Sequence, residues 1–173
     1  MKIVYHDYGG SHSTATAAAI HLGLISASQV PTAKILNTAV PLFDALTASD
    51  HGTLFYLGKD DSDHDVYVLP RRNQSQMVLN AVKSTIAAME GDVDEWIFVD
   101  TLPTVNTWMR IGGYLSRRQG MIWLGRPIVT FGTRKAFPLI RDLVAQTKAR
   151  VAKIQSARSQ APPMDQQSPL DSD

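Results

Sequence analysis

A short apolar run, Lys2–His6, breaks at Asp7 into Tyr8-Gly9-Gly10-Ser11-His12-Ser13-Thr14. Gly9 and Gly10 permit a tight turn and a close approach of backbone to a ligand. A helix starting just beyond them would offer unpaired N–H groups and about half a positive charge, the ingredients of an anion site. Ser11, Ser13 and Thr14 add hydroxyl donors, and His12 adds a cation or a general acid. The same residues also fit a plainer reading, a glycine turn closed by a serine cap. The segment is not a nucleotide P-loop. With Ser13 at the last position of GxxxxGK[ST], His6, Ser11 and His12 stand where two glycines and the lysine belong. Nor is it a CxxxxxR phosphatase loop, because Asp7 and Ser13 hold the two ends.

Two further segments carry the same kind of residue. Asp100-Thr101-Leu102-Pro103-Thr104 closes the apolar run Glu95–Val99, and Gly132-Thr133-Arg134-Lys135 follows Pro127–Phe131. Asp100 ends its run as a magnesium-binding or general-base aspartate does, or else it caps the next helix. Thr101, Thr133 and Arg134 are the further candidate ligand contacts, with Arg134 as the anion clamp and His12 and Asp100 as candidate acid/base groups. His6, His12 and His21 do not converge in number sufficient for a metal site, so none is expected. Asp61, Asp63 and Asp65 start like a calcium loop, but Val66 and Arg72 replace its glycine and its glutamate. That stretch reads as a solvated turn.

These residues need elements to hold them. Lys2–His6 reads as a buried strand, and the alanine-rich Ala15–Leu24 as a helix. Residues 29–50 read as one or two short helices. Gly52–Gly58 and Asp65–Leu69 form a hairpin about Lys59–His64, and Asn73–Met89 has helical spacing. Glu95–Val99 is a strand and Pro103–Arg118 a helix, in which Gly112-Gly113 either permits close packing or ends the helix early. Pro127–Phe131 is expected as the last strand, and Lys135–Ile154 as the last helix, with Pro138 in its first turn. Strands alternating with helices predict an α/β fold, a three-layer sandwich on a mostly parallel sheet with one antiparallel hairpin strand. Ligands of such sheets sit at the carboxyl ends of the strands, where all three segments fall. Residues 1–154 make one domain. Residues 155–173, rich in Ser, Gln, Pro and Asp, are expected to be a disordered tail.

The composition limits the function classes. Hydrophobic residues make up 44% of the 173, enough for a core, and the absence of cysteine excludes disulfides and thiolate chemistry. No apolar run approaches the roughly 18 residues of a membrane span and no secretory leader is visible, so a cytoplasmic location is expected. The net charge of +1 conceals an asymmetry. Residues 1–100 carry 6 Lys/Arg against 12 Asp/Glu, whereas residues 101–154 carry 10 against 1. The basic half either meets an anion or is the solvated surface of two helices.

YHDYGGSHSTATAAAIHLG, LFYLGKD, VDTLPTVNTWMRIGGYLSRR and LGRPIVTFGTRKAFPLI together resemble an uncharacterised bacterial family of the Firmicutes type, domain-of-unknown-function family 3189. The resemblance spans roughly residues 1 to 150. It implies a small single-domain protein and carries no activity, cofactor or catalytic residue. Relatives often bear cysteine where this chain has Asp7, which implies that thiol chemistry is not required there.

The residues leave three readings open. The first is an enzyme acting on a phosphorylated or otherwise anionic small molecule or nucleotide held by Gly9–Thr14. The second is a non-catalytic sensor using the same pocket. The third is an interaction module whose basic 110–135 region meets nucleic acid or an acidic partner. Cofactor and oligomeric state are not readable from the sequence.

Overall fold

The computed structural model describes residues 1–118 and 121–160. Four strands, β1 (Lys2–Asp7), β2 (Phe55–Lys59), β3 (Asp65–Pro70) and β4 (Trp96–Asp100), form one sheet in the order β2-β3-β1-β4. β1 lies parallel between β3 and β4, and β2 pairs antiparallel with β3. This is the α/β architecture and the antiparallel hairpin expected from the alternation of elements.

Pleating sorts the strand residues onto two faces. Ile3, Tyr5, Val66, Val68, Ile97 and Val99 point to one face and join the main core. Two helices cover them: α1 (Ser13–His21) packs on β1 and β3, and α5 (Ile122–Gln160) packs on α1. Every residue of α1 is buried. Its run of alanines suits a helix enclosed on all sides, since small side chains let sheet and helix approach. The opposite face carries Tyr67, Trp96 and Phe98, with α3 (Ser75–Ala88) over it; Lys83 places its ammonium 5.4 Å from the Phe98 ring. The short α2 (Ala33–Ala39) is capped by Thr32, whose hydroxyl accepts the Ile35 amide, and it packs on α5.

The structure departs from the expected elements mainly after residue 104. A 3₁₀ turn, Leu102–Thr104, precedes α4 (Thr107–Gly113), which Asn106 caps by accepting the Met109 amide. A π turn follows over Tyr114–Arg118. Pro127–Phe131 is not a strand but part of α5. A short β-branched run flanked by glycine does not distinguish a strand from a buried helical segment. Here tertiary packing decides: a Cβ built on Gly112, Gly125 or Gly132 would lie closer than 3.0 Å to the backbone nitrogen of Val129, Ser116 or Met109, respectively. The glycines that look like breakers are the seam along which α4 and α5 touch backbone to backbone. Pro127 and Pro138 both stand inside α5, beyond its first turn. Each lacks the N–H that would otherwise bond the carbonyl four residues earlier, that of Trp123 or Arg134. The helix runs to Gln160, past the expected boundary at 154, and reaches about 58 Å at 1.5 Å per residue. Residues 161–173, part of the expected tail, lie outside the described residues.

Candidate functional site

β1 delivers Asp7 to the carboxyl end of the sheet, and the first loop folds back around that carboxylate. Oδ1 accepts the backbone amides of Gly9 at 3.0 Å and Gly10 at 2.6 Å. Oδ2 accepts the hydroxyls of Ser13 and, at 3.2 Å, Thr101. Thr14 joins through a 3.0 Å contact between its Oγ1 and that of Thr101. Gly10 is required by more than the turn, because its φ is +70° and a Cβ there would meet Leu46 at 2.9 Å. The structure thus brings Gly9, Gly10, Ser13, Thr14 and Thr101 together, and the anion they surround is the chain's own Asp7. Ser11 faces the segment after α2: its Oγ accepts the Leu46 amide and its carbonyl accepts the Asp44 amide.

His12 turns to Asp44, with Nε2 3.3 Å from Oδ1 and its ring set edge-on to Phe43. Asp44 is a buried carboxylate that also accepts from Ser116 Oγ and from Arg126 Nε, both at 2.9 Å. Sequence reasoning passed over it. Its only signal is a single acid inside the apolar stretch Pro41–Leu46.

Asp100 belongs to a different group from His12. Asp100 Oδ1 accepts the Leu102 amide and Oδ2 accepts Arg71 Nη2 at 3.0 Å. Buried Arg71 gives its Nε hydrogen to Nδ1 of His6. Burial pushes the His6 imidazole down to about 4; Asp100 opposes this and Arg71 adds to it. His6 is therefore neutral at pH 7.

The remaining two candidates lie elsewhere, because Gly132 is not a strand end. Thr133 is buried and donates to the Val129 carbonyl within α5. Arg134 donates its Nε hydrogen to the Pro31 carbonyl. It lines a groove of about 440 Å³ between α2 and the first half of α5, with Trp123, Arg126, Thr130 and Phe131 along its α5 wall. Trp123 is 78% exposed, Ile122 and Leu124 are exposed beside it on α5, and Trp108 and Ile111 are exposed on α4. Trp108 meets Phe131 edge-on at 5.6 Å, and the Lys135 ammonium lies 5.3 Å from the Phe131 ring.

A second polar cluster sits at the amino end of the sheet. Tyr5 Oη lies 2.7 Å from His21 Nδ1, and Asp60 Oδ2 lies 3.0 Å from both His21 Nε2 and His64 Nδ1. His64 Nε2 lies 2.7 Å from Gln155 Nε2. Burial raises Asp60, but hydrogen bonds from His64, Ser62 and His21 outweigh it and hold the carboxyl near 2. Asp60 Oδ1 also accepts the Ser62 and His64 amides, so the cluster ties the hairpin turn to α1 and α5. Among the described residues no group of three or more His, Asp or Glu is arranged to hold a metal ion, and no helix is long and apolar enough to cross a membrane.

The family model described as "Protein of unknown function (DUF3189)" matches residues 2–149, and the chain belongs to that family. No curated protein and no solved structure matches it.

Proposed function

We propose that this member of a family without an assigned activity is an interaction module that docks an acidic polypeptide on the face formed by α4 and the first half of α5. One observation carries the reading: large apolar side chains stand exposed there, interleaved with cations. Trp108, Ile111, Ile122, Trp123, Leu124 and Phe131 share this part of the chain with Arg110, Arg126, Arg134 and Lys135. Contiguous exposed apolar surface marks interaction sites, and aromatic residues and arginine are the types enriched in them. The polar groups at the carboxyl end of the sheet are bonded to one another, which leaves the first loop's donors engaged by Asp7.

An acidic polypeptide fits better than nucleic acid. Arg126 is already bonded to Asp44, and Arg134 Nε to a carbonyl. Nucleic-acid binding draws on many free phosphate contacts, and the aliphatic Ile111, Ile122 and Leu124 offer no stacking platform. Fluorescence anisotropy of a labelled acidic peptide bearing leucine and phenylalanine is the test. Saturable binding, lost in the Trp123→Ala/Phe131→Ala double variant at unchanged circular dichroism, supports the reading. Equal binding by the double variant, or binding of oligothymidine alone with steep salt dependence, overturns it.

A further inference from the structure

β4 is an edge strand, and among the described residues no other strand pairs with its outer side. Thr101 gives its amide to the His6 carbonyl, and backbone groups alternate in direction along a strand, so those of Ile97 and Val99 also face β1. Trp96, Phe98 and Asp100 therefore turn their N–H and C=O groups outward. The Trp96 amide is taken up by the Val93 carbonyl. The outward backbone groups of Phe98 and Asp100 have no partner among the described residues.

The opposite edge of the sheet is guarded. β2 carries an irregularity between Tyr56 and Gly58 and ends in Lys59, two devices that keep an edge strand from pairing with another chain. β4 has neither. Its sequence, WIFVD, contains no proline, glycine or lysine, and its register on β1 is unbroken. The acids at its two ends are answered from within the chain, Asp100 by Arg71 and Glu95 by Lys2. A second copy brought beside this edge would meet no uncompensated carboxylate there.

We infer that two copies of this chain join through antiparallel β4–β4 pairing, which doubles the four-stranded sheet into one continuous sheet. A two-fold axis at Phe98, the middle of the five residues, uses the whole strand. Phe98 then exchanges N–H and C=O bonds with Phe98 of the second copy, and the Asp100 amide meets the Trp96 carbonyl of that copy. On the core face Ile97 stands opposite Val99 of the second copy, in both directions, and on the other face the two Phe98 rings are cross-strand neighbours. This self-complementarity selects a second copy over an unrelated strand. With both β4 edges used and β2 guarded, the assembly closes as a dimer.

Sedimentation equilibrium of the full chain should give twice the mass of one copy, and hydrogen exchange read by NMR should show the Phe98 and Asp100 amides protected in that species. Phe98→Pro removes the outward N–H and leaves the bonds to β1 in place, so it should yield a monomer of unchanged circular dichroism. Phe98→Ala loses the same ring but keeps the N–H, and should still dimerise, with weaker affinity. A monomer at every concentration overturns the assignment, as does a dimer whose Phe98 and Asp100 amides exchange freely. So does a dimer that survives Phe98→Pro but is lost in the Trp123→Ala/Phe131→Ala double variant, because that association uses the α4–α5 face. If Phe98→Pro does not fold, amide exchange in the unaltered chain decides.

Discussion

Arg71 donates its Nε hydrogen to Nδ1 of His6 at 2.9 Å, and this single bond fixes the protonation of the imidazole. A guanidinium cannot accept, so Nδ1 must carry the lone pair and Nε2 the hydrogen. Protonating Nδ1 would set two donors against each other in a buried site.

A pH dependence follows. The His6 imidazole titrates near 4 in the folded chain and near 6.5 unfolded. Between those values the unfolded chain binds more protons. The stabilisation is therefore complete above pH 6.5 and is lost as pH falls toward 4, by about 3 kcal/mol at most. His21, lowered mainly by its burial, acts in the same direction. Urea denaturation from pH 7.5 to 4 should show stability falling through this window, with a smaller slope in His6→Asn. An unchanged slope would remove His6 as the cause.

Asp7 organises the first loop, and its replacement should show this in graded fashion. Asp7→Ala strands two amides and two hydroxyls and should cost roughly 2–4 kcal/mol. Asp7→Asn can still accept both glycine amides, and its loss should be about half as large. Chemical denaturation midpoints would decide the matter, and equal stability in all three chains would mean that the carboxylate does not hold the loop.

The glycine seam gives a prediction opposite to helix propensity. Alanine at a helical glycine normally gains about 1 kcal/mol. At Gly112, Gly125 and Gly132 the added Cβ would collide with the facing backbone, and each substitution should instead cost roughly 1–3 kcal/mol. Gly113 is the control: a Cβ there meets only the His12 ring at 3.6 Å, and Gly113→Ala should be neutral or stabilising. Thermal melts of the four variants test the contrast.

Much of this was legible from local pattern. Lys2–His6 and Glu95–Val99 read as strands because they are short, apolar and bounded by turn residues, and the alanine run after Ser13 reads as a helix. The hairpin about Lys59–His64 was equally plain. The failures came where distant partners decide. Pro127–Phe131 has strand-like residues, and only α4 lying against Gly125 and Gly132 makes it helical. That error also misplaced Arg134, which faces α2 rather than the first loop. Asp7 and Asp44 went unassigned for a related reason. Nothing in the spacing of Gly9, Gly10 and Ser13 says that their donors turn inward onto a carboxylate of the same chain, and Asp44 gains its role from His12, Ser116 and Arg126, all far from it in sequence.

The placement of β1 between β3 and β4 also governs the order in which the chain can be completed during synthesis. β1 leaves the ribosome before both of its partners, residues 65–70 and 96–100, so it must wait for two later strands before its backbone is satisfied on both sides. Helix α1 waits longer still, because α5, made after all four strands, is one of its covers. A nascent chain lacking α5 exposes the alanine-rich helix α1, a species prone to aggregation. The long helix α5 is the element whose arrival covers α1.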